Sequence, residues 1–387
     1  MCRKTGPVYR LCFLRDHVSG SGDRGRKVGL DMSNRVLMKG NEAIAEAAVK
    51  AGCRHYFGYP ITPQTEIAHY LAKRMKDVDG VFLQAESEVA AINMVYGAAG
   101  AGARVLTSSS SPGISLKQEG FSYIAGAEIP SVVVNVMRCG PGLGGILPAQ
   151  GDYFQCVKGG GHGDYKNLVL AASGVQELFS LTMEAFDLAD KYRILVVILA
   201  DGTIGQMMEP VIIPEDTDMK IFDKPWAASG KKGGNVHHTI KSIYIDPVVL
   251  EGLNNRLQSK YREIEANEVR VETSALEDAE IVITAFGTCA RIAKNVIKEA
   301  AREGIKVGLI RPITLWPFPV EIISETARKD SVKAFLDIEL NAGQMVEDVR
   351  LAVNGKKEVL FHGRTGGMIP SQEEILDIVR RIAGGGF

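Results

Sequence analysis

Short apolar runs alternate with helical stretches along most of this chain. Asn41 to Ala51 reads as a helix, with Ile44, Ala45, Ala48 and Val49 at helical spacing and Gly52 as its stop. His55 to Tyr59 follows as a short strand and Pro63 to Met75 as a second helix. Val81 to Gln84, Val105 to Thr107, Ser131 to Met137 and Ile194 to Leu199 are apolar or β-branched runs, the last two unbroken by polar alternation. Strands of that kind belong to parallel sheets covered on both faces, and the helices between them complete β-α-β units. The pattern predicts an α/β fold built on a doubly wound parallel sheet.

The rhythm breaks between Pro214 and Glu272. Lys/Gly-rich loop sequence from Asp223 to Asn235 precedes a helix from about Pro247, with Leu250, Leu253, Leu257, Tyr261 and Ile264 on one stripe. Regular α/β spacing then resumes with strand Ala279 to Phe286, a turn at Gly287-Thr288 and helix Ile292 to Glu303. Strands Lys306 to Arg311 and Ser331 to Asp337 follow. The expected organisation is an N-terminal extension over 1–34, an α/β domain over 35–215, a linker with one amphipathic helix over 216–270, and a smaller α/β domain over 271–387. The first 31 residues carry seven basic side chains against three acidic ones and lack the apolar core of a secretory signal. They are expected to be a poorly ordered extension, with Met32 as the natural beginning.

Composition narrows the class. Hydrophobic residues at 45%, charged residues at 24% and a net charge of -1 are those of a globular protein without an electrostatic footprint for nucleic acid or anionic lipid. No apolar run approaches the roughly 18 to 20 residues of a membrane span. The six cysteines, Cys2, Cys12, Cys53, Cys139, Cys156 and Cys289, form no C-x-x-C and no zinc or iron–sulfur ligand run. Few, scattered cysteines imply reduced thiols and a cytoplasmic location. Glycine is in excess, with 42 in 387 residues.

Ligands of open parallel sheets bind at the carboxyl ends of strands, where four segments stand out. In Tyr59-Pro60-Ile61-Thr62-Pro63-Gln64-Thr65-Glu66, Thr62 is placed as an N-cap with Pro63 in the first helical position. The same geometry also suits a small carboxylate. In Gln84 to Ala91, Glu86 and Glu88 open a helix, where acids favour the dipole. The rest of that helix is smooth with alanine and glycine, which implies close approach of another backbone or a ligand. A glutamate buried beside it suits a proton shared with a heterocycle nitrogen. Arg138, followed by Cys139-Gly140-Pro141-Gly142, ends the buried run at Met137, and its guanidinium suits a bidentate carboxylate. Cys139 reads as a small filler, and His162 in its glycine loop as a hinge or turn. Asp201-Gly202 is tempting as half of a metal-diphosphate motif, but residue 200 is alanine and the next downstream asparagine is Asn235, so it is discounted.

These segments resemble the alpha subunit of the 2-oxoacid:ferredoxin oxidoreductases, close to the branched-chain (2-oxoisovalerate) group. The resemblance spans roughly Leu37 to Ile382. It rests on YPITPQTE at 59–66, ESEVAAINMVYGAAGAGAR at 86–104, TSSSSPG at 107–113 and MRCGPG at 137–142. NAGQMVEDVR at 341–350 and GRTGGMIPS at 363–371 extend it into the second half. It implies a thiamine diphosphate-binding fold of the pyrimidine type followed by a transketolase C-terminal-like domain. It also implies oxidative decarboxylation of a 2-oxo acid with coenzyme A to acyl-CoA, CO2 and reduced ferredoxin. Glu88 matches the glutamate that hydrogen-bonds the pyrimidine N1′ and favours the tautomer that removes the thiazolium proton. Thr62 and Arg138 match the pair that binds the substrate, and Tyr59 and Pro60 lie in the cofactor-binding loop. The diphosphate and its Mg2+ are expected on a beta subunit, and the iron–sulfur clusters on partners such as gamma or delta ferredoxin-type subunits. The whole is expected to be a dimer of heteromers.

Overall fold

The computed structural model describes residues 35–215, 219–230 and 237–386. The expected N-terminal extension lies outside the described residues. So does part of the Lys/Gly-rich loop.

The first half runs β1 (Arg35–Lys39), α1 (Gly40–Lys50), β2 (His55–Gly58), α2 (Thr65–Arg74), β3 (Val81–Gln84), α3 (Glu88–Gly100), β4 (Val105–Ser109) and α4 (Ser111–Gly126). It continues with β5 (Ser131–Met137), α5 (Tyr153–Val157), β6 (Leu168–Leu170), α6 (Val175–Tyr192), β7 (Leu195–Asp201), α7 (Gly202–Gln206) and β8 (Met208–Ile212). The second half comprises α8 (Pro247–Asn267), β9 (Val271–Ser274), β10 (Ile281–Ala285), α9 (Gly287–Arg302), β11 (Val307–Pro312) and β12 (Thr314–Trp316). It ends with α10 (Val320–Ala327), β13 (Ala334–Glu339), α11 (Met345–Val353), β14 (Glu358–Gly363) and α12 (Gln372–Ala383).

A seven-stranded sheet has the order β12-β6-β7-β5-β4-β2-β3 and a five-stranded one the order β14-β13-β10-β11-β9. Every residue of β5 and β7 is buried, which is why these runs carry no polar alternation. The pairs within each sheet are parallel except at β12 and β9, which join antiparallel at one edge of their sheets. Strand β12 was not anticipated. It leaves the second half of the chain and adds to the large sheet, with Trp316 edge-on to Tyr261 of α8 at 5.7 Å. The two sheets are thereby interlocked.

Three helix expectations need correction. Helix α2 starts at Thr65, with Gln64 in the N-cap position, so Thr62 caps nothing. The Pro63 carbonyl is taken instead by Asn41 Nδ2 at 2.7 Å and Gln206 Nε2 at 2.8 Å, which holds the chain out of the helix. In α8 the buried stripe is Leu253, Leu257, Tyr261 and Ile264, while Leu250 is exposed along with Val248 and Val249 because the first turn projects past the body. Helix α9 begins at Gly287 rather than Ile292, because Asp201 accepts from Thr288 N and Oγ1 and anchors its first turn. The connecting segment uses the glycine at the end of each of two helices, Ile240 packing beside Gly100 of α3 and Ser242 beside Gly126 of α4.

Candidate functional site at the reversal of the large sheet

Strand order in the large sheet reverses between β2 and β4, so a crevice opens beyond their carboxyl ends. Four neighbouring strands deliver side chains to it. Strand β2 runs into the loop Tyr59 to Gln64, β3 into Ser87 and Glu88, β4 into Ser109 to Ser111, and β5 into Arg138.

The floor of the crevice is a buried hydrogen-bonded chain. Ser108 Oγ donates to Gln64 Oε1 at 2.5 Å and lies 2.8 Å from the Tyr56 hydroxyl, joining β4 to β2 and to the start of α2. Burial pushes the Tyr56 phenol up to about 12. This chain fixes the loop that carries Tyr59, Pro60 and Thr62, all three of which are exposed.

Glu88 is the first residue of α3 and only 6% exposed. Ser87 supplies the cap, its Oγ accepting from Ala90 N at 3.1 Å, so Glu88 is not needed for that purpose. Among the described residues nothing donates a hydrogen bond to its carboxylate. A Cβ built on Gly113 of α4 would stand 2.6 Å from Glu88 Oε1 and 2.1 Å from Ser109 Oγ, so any side chain there would displace both groups. The hydroxyls of Ser109 and Ser110 are buried and without partners. Lys117, one turn further along α4, is fully buried and donates to Thr107 Oγ1 at 2.6 Å and to Ser108 O at 3.2 Å.

Arg138 is brought to the same end of the sheet. Its Nη1 donates to Thr62 O at 3.1 Å and its Nη2 to Leu143 O at 3.0 Å, while Nε is buried without a partner. It forms no ion pair among the described residues, so a guanidinium only 8% exposed keeps an unneutralised charge beside Thr62. The backbone behind it is fixed by Ser111, which accepts from Arg138 N at 3.0 Å and donates to Asp152 at 2.6 Å. Burial raises the Asp152 carboxyl against the hydrogen bonds of Ser111 and Asn135. Cys139 is buried and free, and Gly144 must be glycine, since a Cβ there would stand 1.9 Å from Cys139 O.

Other candidates turn out to be structural. Glu86 is exposed. Asp201 accepts from Ile204 N, Gln150 Nε2 and both Thr288 donors, which uses both of its oxygens to tie the two halves together. The His162 carbonyl accepts from Ser122, and its ring sits edge-on to Tyr123. Sequence reasoning passed over Lys117, Ser109 and Gln64. A signal for Lys117 was present: Gly113, Lys117, Gly120 and Ile124 recur at helical spacing, so the lysine stands on the inward stripe of α4.

The crevice suits one end of a cofactor. A buried carboxylate without hydrogen bonds beside partnerless hydroxyls fits a heterocycle that both donates and accepts. No cluster of three or more His, Cys, Asp or Glu able to hold a metal occurs among the described residues, nor any helix long and apolar enough to cross a membrane.

Comparison with known proteins agrees with this geometry. Residues 46–272 match the family model "Pyruvate flavodoxin/ferredoxin oxidoreductase, thiamine diP-bdg", and residues 279–375 match "Pyruvate:ferredoxin oxidoreductase core domain II". The chain is 52% identical over 348 residues to the ketoisovalerate oxidoreductase subunit VorB of Methanothermobacter thermautotrophicus, covering 90% of this chain and 98% of the relative. It is 36% identical over 362 residues to the 2-oxoglutarate synthase subunit KorA of Methanocaldococcus jannaschii, covering 88% and 97%. Among solved structures, 2-oxoglutarate:ferredoxin oxidoreductase from Magnetococcus marinus superposes with a TM-score of 0.81 at 26% identity, over 90% of this chain and 65% of that one. The chain therefore belongs to the alpha-type subunits of the 2-oxoacid:ferredoxin oxidoreductase family.

Proposed function

We propose that this chain is the pyrimidine-binding subunit of a thiamine diphosphate-dependent 2-oxoacid:ferredoxin oxidoreductase, acting on 2-oxoisovalerate or a related branched-chain acid. The observation that carries the reading is Glu88, buried at the head of α3 with no hydrogen bond to its carboxylate among the described residues, in a crevice where Arg138, directly after β5, donates only to backbone carbonyls and forms no ion pair with those residues. The branched-chain substrate is supported by 52% identity to a ketoisovalerate oxidoreductase subunit against 36% to a 2-oxoglutarate synthase subunit. 2-Oxoglutarate is the second reading, favoured by the solved neighbour with that acid bound.

When bound, the cofactor supplies the electron sink that loss of CO2 from a 2-oxo acid requires. Glu88 would hold a proton at the pyrimidine nitrogen. Arg138 and Thr62 would orient the substrate carboxylate and carbonyl, with the rigid loop of Tyr59 and Pro60 against the cofactor. Residues 35–215 would be the pyrimidine domain, 216–270 the connection and 271–387 the transketolase C-terminal-like domain. The Mg2+-diphosphate site would lie on a beta subunit and the iron–sulfur clusters on gamma or delta subunits. Coenzyme A would be co-substrate and ferredoxin the acceptor, in a cytoplasmic dimer of heteromers. Glu88→Gln in the assembled complex is expected to lower oxoacid-dependent viologen reduction by roughly 10²- to 10⁴-fold. Near-normal turnover would overturn the reading in favour of a scaffold subunit. Assays with 2-oxoisovalerate, 2-oxoglutarate, pyruvate and an aryl pyruvate decide the substrate.

A further inference from the structure

The amino edge of the large sheet, opposite the crevice, carries a basic cavity that the scheme above leaves unused. Glu128 and Arg193 follow the ends of α4 and α6 and stand just before β5 and β7. With Trp226, His238, Lys241 and Tyr244 of the connecting segment they line one cavity of about 220 Å³. Ala228 N of that segment donates to Gly100 O at 2.9 Å, which holds this wall to the end of α3.

Glu128 is the one carboxylate lining the cavity among the described residues, and α8 already claims it. Arg256 Nη2 lies 3.1 Å and Lys260 Nζ 2.7 Å from its oxygens. Arg193 and Lys241 are left without ion pairs among the described residues. Arg193 Nε donates to the Glu128 carbonyl at 2.9 Å, and its Cζ stands 4.5 Å from the centre of the Trp226 ring. A guanidinium held by its face keeps its edge free, and neither Nη of Arg193 has a hydrogen-bond partner among the described residues. Burial lowers this group from its ordinary value, and Glu128, shared with two other cations, offsets only part of that. Lys241 Nζ is set in a similar way, 5.0 Å from the centre of the Tyr244 ring.

A planar donor fork and an ammonium, one from the body and one from the connecting segment, suit an anion with about two charges and several acceptor oxygens. The cavity is smaller than the roughly 300–1,000 Å³ of pockets that bury drug-sized molecules, so the anion must be compact. We propose that this cavity binds a phosphate group, held by the edge of Arg193 and by Lys241 with His238 at the rim. The bound phosphate ties the connecting segment to the ends of α4 and α6. The site lies apart from the catalytic crevice and does not depend on the reading of Glu88.

Calorimetric titration of inorganic phosphate into the assembled complex, saturated with thiamine diphosphate and matched in ionic strength with chloride, tests the site. Saturable binding by the wild-type complex is expected. Arg193→Gln removes the fork and is expected to weaken binding about tenfold. Lys241→Gln, at an exposed position, is expected to weaken it about threefold. Turnover of the 2-oxo acid in phosphate-free buffer should hold within about twofold in both variants. ATP titrated in parallel separates the sources. If it binds more tightly than phosphate with the same dependence on Arg193 and Lys241, the site stands and its phosphate belongs to a nucleotide. If it binds equally or more weakly, the site stands and takes the free ion. Absence of binding by either titrant up to about 10 mM, heats reproduced by chloride alone, or affinity that Arg193→Gln leaves unchanged would each overturn the proposal. Should the arginine variant not assemble, the lysine variant decides by the same change in affinity.

Discussion

The large sheet reverses its strand order between β2 and β4, and the smaller sheet reverses between β10 and β13, so each leaves a crevice beyond two parallel strands. In the smaller sheet that crevice is filled. Gln150 exchanges hydrogen bonds with Leu340 through both its backbone and its side chain, and its Nε2 donates to Phe286 O at 3.0 Å. Glu339 accepts from the backbone of Gln344, Met345 and Val346 and from Asn341 Nδ2, capping α11. Burial, with the charge of Glu339 adding, pushes the neighbouring Asp337 carboxyl well above the usual range, and its Oδ2 is buried without a hydrogen-bond partner. In the large sheet the crevice keeps more unpartnered groups among the described residues: the hydroxyls of Ser109 and Ser110, Nε of Arg138, and the Glu88 carboxylate, which accepts no hydrogen bond. One topology thus serves two ends. Where a loop of the same chain takes up most of the strand-end groups, the crevice becomes a joint, and where it does not, polar groups are left over.

The sharpest way to break this contrast is at Arg138. Arg138→Ala is expected to lower kcat/KM for the 2-oxo acid by roughly 10²- to 10³-fold, since a bidentate, charge-assisted contact is lost. Arg138→Lys should recover only part of that, because an ammonium lacks the planar fork. Steady-state kinetics across substrate concentration reads both, and an unchanged KM would remove the carboxylate role. The sealed crevice should behave oppositely. Gln150→Ala leaves Leu340 N without its acceptor and takes one of two donors from Phe286 O, and chemical denaturation should show a loss of about 1–3 kcal/mol, with kcat/KM below the melting range holding within about threefold. A rise in KM there would mean that the crevices are not independent. Gly113→Ala is the smallest perturbation. Its methyl would displace the Ser109 hydroxyl and the Glu88 carboxylate, both of which can swing, so a stability loss of about 1 kcal/mol is expected. Thiamine diphosphate affinity should fall more than that stability loss implies, and an unchanged affinity would place the cofactor away from Glu88.

Much of the architecture was legible because buried parallel strands carry their own signature. The runs ending at Met137 and near Leu199 became β5 and β7, buried throughout. Arg138 stood out for the same reason, as a charge directly after such a run. Thr62 was harder, because an S/T-Pro pair reads as a cap locally, and only the capture of Pro63 O by Asn41 and Gln206 shows otherwise. Leu250 fits the stripe of α8 by period, yet the helix overhangs the body at that end. Strand β12 has three residues, too few for periodicity, and its partner β6 lies far away in sequence.

The amino-acid sequence by itself determined the sheet-forming segments, the smooth helix behind Glu88, and the placement of Glu88, Thr62 and Arg138 after strands, since all of these are local in period and composition. Only the tertiary structure decided which reversal stays open, that Gln150 closes the other, and that Lys117 is buried against Thr107 and Ser108. Those outcomes depend on which buried polar groups find partners from distant segments, and hydrogen-bond satisfaction across the fold leaves no periodic trace along the chain.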